Sequence, residues 1–264
     1  MFSRIMCAVL PGLAFALAPF ATATAADLPA KAPTAPAPAF SWSGCYVGVN
    51  GGGGASGSNF TTGVDPGTHL SSDDAATVSL FGIGSGNDSN FVAGGQIGCN
   101  WQSGTYVYGV EADADYFHSS AGYLNGTGTL STGDTFAVTQ TLTTNYLATL
   151  RPRLGVAADH SLFYVTGGAA FTRVSYVEAY SDTLNNGVGT ATGSQSLIGW
   201  TAGAGWEYAW NDHFVTRVEY LYADFPKATN AVGLITDTAG GTNVLHGSAD
   251  LVIQTVRLGL NYKF

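Results

Sequence analysis

The chain has 264 residues, of which only 10% are charged, and its nine basic side chains stand against 18 acidic ones for a formal charge of −9. That balance excludes a nucleic-acid partner, because binding a phosphate backbone needs clustered cations. Mean hydropathy is +0.15, and beyond the N-terminus no run approaches the ~18 consecutive apolar residues of a membrane-spanning helix.

Residues 1–26 read as a secretory signal peptide. Arg4 supplies the basic start, Ala8 to Phe20 the apolar stretch and Thr24-Ala25-Ala26 a small-residue cleavage site. Its removal leaves eight basic and 18 acidic side chains, a formal charge of −10. It also removes Cys7, so that Cys45 and Cys99 remain in an oxidising compartment. Residues 27–41 form an Ala/Pro-rich leader (Leu28-Pro-Ala-Lys-Ala-Pro-Thr-Ala-Pro-Ala-Pro-Ala39) of extended, polyproline-like character.

From Trp42 onward the pattern changes to strict alternation. Eight segments with a period of two span 42–52, 91–101, 106–117, 145–157, 162–176, 197–210, 213–222 and 251–264. Each is near or above the roughly ten residues that a tilted membrane strand needs. Their links alternate in length. Gln102-Ser-Gly-Thr105, Ala158-Asp-His-Ser161 and Asn211-Asp212 are short turns, whereas 55–90, 118–144, 177–196 and 223–250 are long. Short turns on one side and long loops on the other predict an all-β fold, an eight-stranded antiparallel up-and-down transmembrane barrel over residues 42–264.

Side chains alternate faces along a strand, so parity assigns them. In the third segment Tyr108, Val110, Ala112, Ala114 and Tyr116 oppose Glu111, Asp113 and Asp115; in the sixth, Ile198, Trp200, Ala202, Ala204, Trp206 and Tyr208 oppose Thr201 and Glu207. A charge facing lipid at mid-depth costs about 2–4 kcal/mol, so the apolar sets face lipid, with aromatics near strand ends as interface girdles. Glu111, Asp113, Arg151, Arg153, Arg173, Glu207, Arg217, Glu219 and Arg257 then face the lumen, with Lys263 on the same parity. The interior of an eight-stranded barrel is just wide enough for side chains to fill. An Arg–carboxylate network there predicts a plugged lumen.

The stretches Trp42-Ser-Gly-Cys-Tyr-Val-Gly-Val-Asn50, Gly94-Gly-Gln-Ile-Gly-Cys-Asn-Trp101, Tyr108-Gly-Val-Glu-Ala-Asp113 and Val256-Arg-Leu-Gly-Leu-Asn-Tyr-Lys-Phe264, with Ala-Asp-Leu-Pro from Ala26, resemble the alphaproteobacterial small outer-membrane surface proteins of the RopB type. These belong with the OmpA-like barrels. The resemblance covers the mature chain, most strongly at its ends, and implies architecture and not catalysis. It implies a major surface antigen, in some members a porin or a haemin binder, and makes the closing aromatics Tyr262 and Phe264 the assembly signal read by the barrel-assembly machinery. Cys45 and Cys99 depart from the family, which has an aromatic or aliphatic residue there.

Cys45 and Cys99 fall on neighbouring strands with the same outward parity, which allows either a cross-strand disulfide or two separate thiols. His69, His118 and His246 sit on three long links and are the haemin-ligand candidates; Glu111, Asp113 and Asp115 read as ion-pair partners of the lumen arginines and not as a metal site. Ser119 beside His118 invites a hydrolase reading, but adjacent strand residues point to opposite faces, and there is no Gly-x-Ser-x-Gly. The sequence thus predicts a monomeric, non-enzymatic outer-membrane protein without a cofactor, in contact with lipids and lipopolysaccharide. Its role would be structural and surface-exposed, with small-solute diffusion and haemin capture as the alternatives.

Overall fold

The computed structural model describes residues 40–264; the expected signal peptide, and all but the last two residues of the expected leader, lie outside the described residues. Nine strands and one helix follow in the order β1 (Gly44–Val64), α1 (Ser72–Phe81), β2 (Gly84–Ser103), β3 (Tyr106–Leu124), β4 (Gly128–Thr129), β5 (Thr135–Ala158), β6 (Ser161–Asp182), β7 (Val188–Ala209), β8 (Phe214–Thr236) and β9 (Thr242–Lys263). Each long strand pairs antiparallel with its chain neighbour, β3 pairs with β5, and β9 returns to β1. The sheet therefore closes into a ring of eight long strands with β4 as a two-residue flap on β5. Closure removes the unpaired sheet edges that would otherwise seek partners.

At one end the turns are tight. Gly104 (φ 61°) and Asp159 (φ 51°) adopt the left-handed conformation that lets β2–β3 and β5–β6 reverse within two residues. The expected long loops at the other end are mostly strand. The eight long strands run for 19 to 24 residues, leaving connections only at 65–83, 125–134, 183–187 and 237–241. With ~3.3 Å per residue and a tilt near 40°, such strands make a barrel about 50 Å tall.

Only half of that height is greasy outside. Ile198, Trp200 and Trp206 on β7 and Trp210 just past its end are exposed, as are Leu150, Leu154 and Val156 on β5 and Val256, Leu258 and Leu260 on β9. These outward residues form a belt between two aromatic girdles, about 25 Å tall for lipid-spanning barrels. Beyond Ile198 the outer wall turns polar, with Arg173 and Ser175 on β6 and Ser194 and Gln195 on β7 all exposed. The inner wall changes in the opposite sense. Within the belt it carries the charged residues; beyond the belt it carries a core that includes Phe60, Val78, Phe117, Phe136, Tyr176, Phe225, Ile235 and Ile253. The barrel is thus membrane-like through the belt, and above it is built like a water-soluble β-barrel.

Candidate functional site

The interior is filled in layers. At the tight-turn end Trp42, 1% exposed, packs with Val107, Leu162, Tyr164, Ala209 and Val215 inside the mouth. Its backbone N–H donates to Gln102 Oε1 (2.7 Å) and its indole N–H to the Asp159 carbonyl (3.3 Å). Phe40 stacks on His160 with 5.4 Å between ring centroids, and Lys263 Nζ lies 4.4 Å from the Phe40 ring centre. Girdle position was the expectation for a Trp at a strand start. Here the chain entering β1 turns inward, and Trp42 becomes a stopper.

Above it lies the charged layer. Arg151 Nη2 donates to Glu111 Oε1 and Asp113 Oδ2 at 2.7 Å each, and Arg151 Nη1 lies 3.3 Å from Glu219 Oε1. Arg217 Nη1 reaches Glu111 Oε2 at 2.6 Å, and Arg257 bridges Asp113 (3.0 Å), Asp115 and Glu219. Glu207 stands directly opposite Arg217 in the β7–β8 register, yet its ion pair reaches past β6 to Arg153 Nη2 on β5 at 2.8 Å. The structure brings together eight of the nine sequence-predicted lumen charges. Arg173 is the exception: it faces outward just above the belt, while Thr172, its neighbour, is fully buried. Even-numbered residues face inward throughout β6, so the less regular pattern of that segment led to the wrong parity for Arg173.

Apart from Thr149, which parity puts on the face of Arg151 and Arg153, sequence reading missed the neutral partners that complete this layer. Tyr46 Oη accepts from Arg153 Nη1 (2.7 Å) and donates to Glu111 Oε2 (2.5 Å), and Tyr164 Oη donates to Glu219 Oε2 (2.7 Å). Thr149 donates to Asp113 (2.5 Å), and Asn50 Nδ2 donates to Asp115 (2.8 Å) and to Gln96 (2.9 Å). Arg153 lies 3.9 Å above the Tyr164 ring, a cation–π contact. All share the inward parity, which was the available signal. Inward glycines make room: a Cβ on Gly98 would sit 2.4 Å from Tyr46 Oη, and one on Gly259 2.8 Å from the Arg217 side chain.

The far end is capped by the connection between β1 and β2. Helix α1 starts at Ser71, whose side chain accepts from the Asp74 N–H, and buries Ala75 and Val78 in the upper core. Asp74 accepts from the Ser131 N–H (2.7 Å) and hydroxyl (2.9 Å) of the β3–β5 connection. His69 is the centre of the cap. Its Nε2 lies 2.6 Å from Asp182 Oδ2 and its Nδ1 2.7 Å from Asp237 Oδ2, while Asn243 Oδ1 accepts from the His69 and Leu70 N–H groups. Burial disfavours the imidazolium, but the two carboxylates outweigh it and raise the His69 pKa above the ordinary value. Backbone N–H donors and His69 hold Asp237 below the usual carboxylate range despite the opposing desolvation.

The three haemin candidates do not meet. Both ring nitrogens of His69 are occupied by carboxylates, His118 Nδ1 pairs outside with Asn145 (2.8 Å), and His246 Nε2 pairs with Asp65 (2.9 Å). Ser119 and His118 also part: Ser119 is buried against Ser56 in the lumen, while His118 pairs on the outside. Among the described residues no group of three His, Cys, Asp or Glu is arranged to hold a metal ion. Cys45 and Cys99, direct cross-strand partners of β1 and β2, form a disulfide. By loop-closure entropy a bond across 54 residues contributes about 4 kcal/mol at most.

A closed antiparallel ring with a lipid-facing belt, a filled lumen and a tall polar extension defines an integral outer-membrane β-barrel. The family model described as outer membrane protein beta-barrel domain matches residues 13–264, and the chain belongs to that family. It is 34% identical to the 31 kDa outer-membrane immunogenic protein of Brucella melitensis, over 96% of this chain and 98% of that one. It is 31% identical to the 25 kDa outer-membrane immunogenic protein of Brucella abortus, over 94% of each. The crystal structure of the Escherichia coli outer membrane protease OmpT is similar over 85% of this chain and 98% of its own, at 9% identity and a TM-score of 0.43. The protein is located in the outer membrane, so the tight turns are periplasmic and the far end is extracellular.

Proposed function

We propose that this protein is a non-conducting structural element of the outer membrane that supports envelope integrity and carries a rigid surface-exposed extension. The observation that carries the reading is the layered interior. Among the described residues, Trp42 packs at the periplasmic mouth, an Arg–carboxylate layer lies inside the belt and an apolar core lies above it, which supports a lumen closed to solutes. A solute would have to displace buried ion pairs, and breaking one by removing a partner costs about 3–5 kcal/mol. The relatives named as immunogenic outer-membrane proteins support a surface role for the cap and its connections.

Single-channel recording of the refolded barrel in planar lipid bilayers tests this. The expected trace is silent for protein that runs as a folded, heat-modifiable species on a gel. Reproducible open steps from such protein would replace the structural reading with a porin.

A further inference from the structure

Of the five arginines among the described residues, four are held in lumen ion pairs, while Arg173 faces outward and enters none of them. Register fixes its height. Arg173 pairs with Ser196 on β7, and Phe171, the outward residue below it, pairs with Ile198, the last apolar position of the belt. Two residues of a strand rising ~3.3 Å each at ~40° tilt lift Arg173 about 5 Å above that position. The polar headgroups of a bilayer occupy roughly the outermost 5–7 Å on each side. Arg173 thus stands in the headgroup layer of the outer leaflet.

The ladders around it are irregular at the same height. The β3–β5 register slips between Tyr116 and Ser119, and the β5–β6 register between Thr144 and Ala148. Bulges of this kind re-aim side chains. Here they bring His118 Nδ1 to 2.8 Å from Asn145 Oδ1, which leaves Asn145 Nδ2 as a donor. Thr144 pairs with Val174, so the next residue on β5, Asn145, lies beside Arg173. A third slip, between Phe225 and Thr229 on β8, contains Lys227. On the other flank Ser175, Ser194 and Ser196 are exposed. Beneath Arg173 and Phe171, the outward residues of β6 shrink to Ala169 and Gly167, with Ala169 between Leu150 on β5 and Trp200 on β7. This leaves a trough about one strand spacing (~4.8 Å) wide, enough for one hydrocarbon chain.

We propose that this rank of donors binds the phosphorylated sugar headgroup of an outer-leaflet glycolipid, the lipid anchor of lipopolysaccharide. Arg173 takes the phosphate, Asn145 and the serines take neighbouring sugar oxygens, and one acyl chain lies in the trough below. A guanidinium matches phosphate oxygens with two parallel hydrogen bonds. The charge of the chain is −9, which repels an anionic lipid elsewhere on the wall and makes the unpaired Arg173 the place where its phosphate is tolerated. Width favours a sugar headgroup over a glycerophospholipid. From His118 on β3 to Ser196 on β7 the rank crosses three strand spacings, about 14 Å, the breadth of a disaccharide and more than one glycerophosphate covers.

The test is a titration of the folded barrel in neutral detergent micelles with fluorescently labelled lipid A, a bis-phosphorylated, acylated glucosamine disaccharide. Arg173→Gln, a change at an exposed position that keeps the barrel heat-modifiable, should weaken binding about ten-fold, the scale of one charge-assisted hydrogen-bonded contact. Lipid A stripped of its phosphates should bind the wild type as weakly as intact lipid A binds the variant, and the variant should not distinguish the two lipids. Unchanged affinity in folded Arg173→Gln would overturn the proposal, as would a preference for the phosphorylated lipid that survives in the variant. Displacement of lipid A by an equimolar amount of phosphatidylglycerol, or by millimolar inorganic phosphate, would assign the site to phosphate alone and overturn the glycolipid reading.

Discussion

Arg151 has no exposed surface and shares its guanidinium among Glu111, Asp113 and Glu219. Its stabilisation is conditional on all its partners, because an unmatched buried carboxylate loses hydration without compensation. Arg151→Ala should therefore destabilise the barrel by about 3–5 kcal/mol, read from equilibrium urea unfolding in micelles. Gly98 acts by omission. Its hypothetical Cβ falls 2.4 Å from Tyr46 Oη and 2.8 Å from the Val110 carbonyl, so neither the ring nor the neighbouring strand can give way cheaply. Gly98→Ala should cost roughly 1–3 kcal/mol through overpacking, measured the same way. The abundance of glycine in this chain has a spatial reason here: Tyr46 and Arg217 lie over Gly98 and Gly259, their direct cross-strand partners, which offer no side chain to collide with.

At the scale of elements, the cap joins connections that are distant in sequence. His69 ties the β1–β2 connection to Asp182 at the end of β6 and to Asp237 between β8 and β9. The raised His69 pKa means that its contribution is complete below the ordinary histidine value near ~6.5 and is lost as pH rises through the higher folded-state value. The lowered Asp237 pKa works in the other direction, with its share present above the ordinary carboxylate range and lost as pH falls through the depressed folded value. Amide hydrogen exchange in residues 65–71 and 237–243, corrected for intrinsic rates, should therefore be faster at pH 9 than at pH 6. His69→Ala should abolish that difference. Persistence of the same pH dependence in the variant would remove His69 from the explanation.

Across the whole molecule, one closed sheet serves two solvents. In the belt, the outer face meets hydrocarbon and the inner face meets charge; above it, the outer face meets water and the inner face packs an apolar core. The same substitution should then have opposite consequences at two heights. Leu258→Arg, at a 64% exposed position on the belt, should cost about 2–4 kcal/mol and lower the folding yield in lipid vesicles. Thr192→Arg, above the belt, should leave that yield within error of wild type. Comparable losses at both positions would place the lipid boundary higher than Ile198.

The sequence by itself determined the ring, because a period of two and alternating short and long links leave few other ways to satisfy every backbone group in lipid. It also determined most of the lumen layer, since parity and charge suffice to send Arg151, Arg153, Arg217 and Arg257 inward. The height of the barrel was not legible from an apolar-out pattern. Above the belt the alternation continues with its polarity inverted, as in β5, where Phe136, Val138 and Leu142 point in and Thr135 and Thr139 are exposed. A reading that seeks greasy outward faces takes such stretches for loops. Only the tertiary structure decided which carboxylate meets which arginine, as Glu207 shows by passing over Arg217 to reach Arg153. It alone placed Trp42 in the mouth and His69 between two aspartates. Those contacts join strands and connections that are not hydrogen-bonded neighbours, and such distances follow from closure of the ring and not from spacing along the chain.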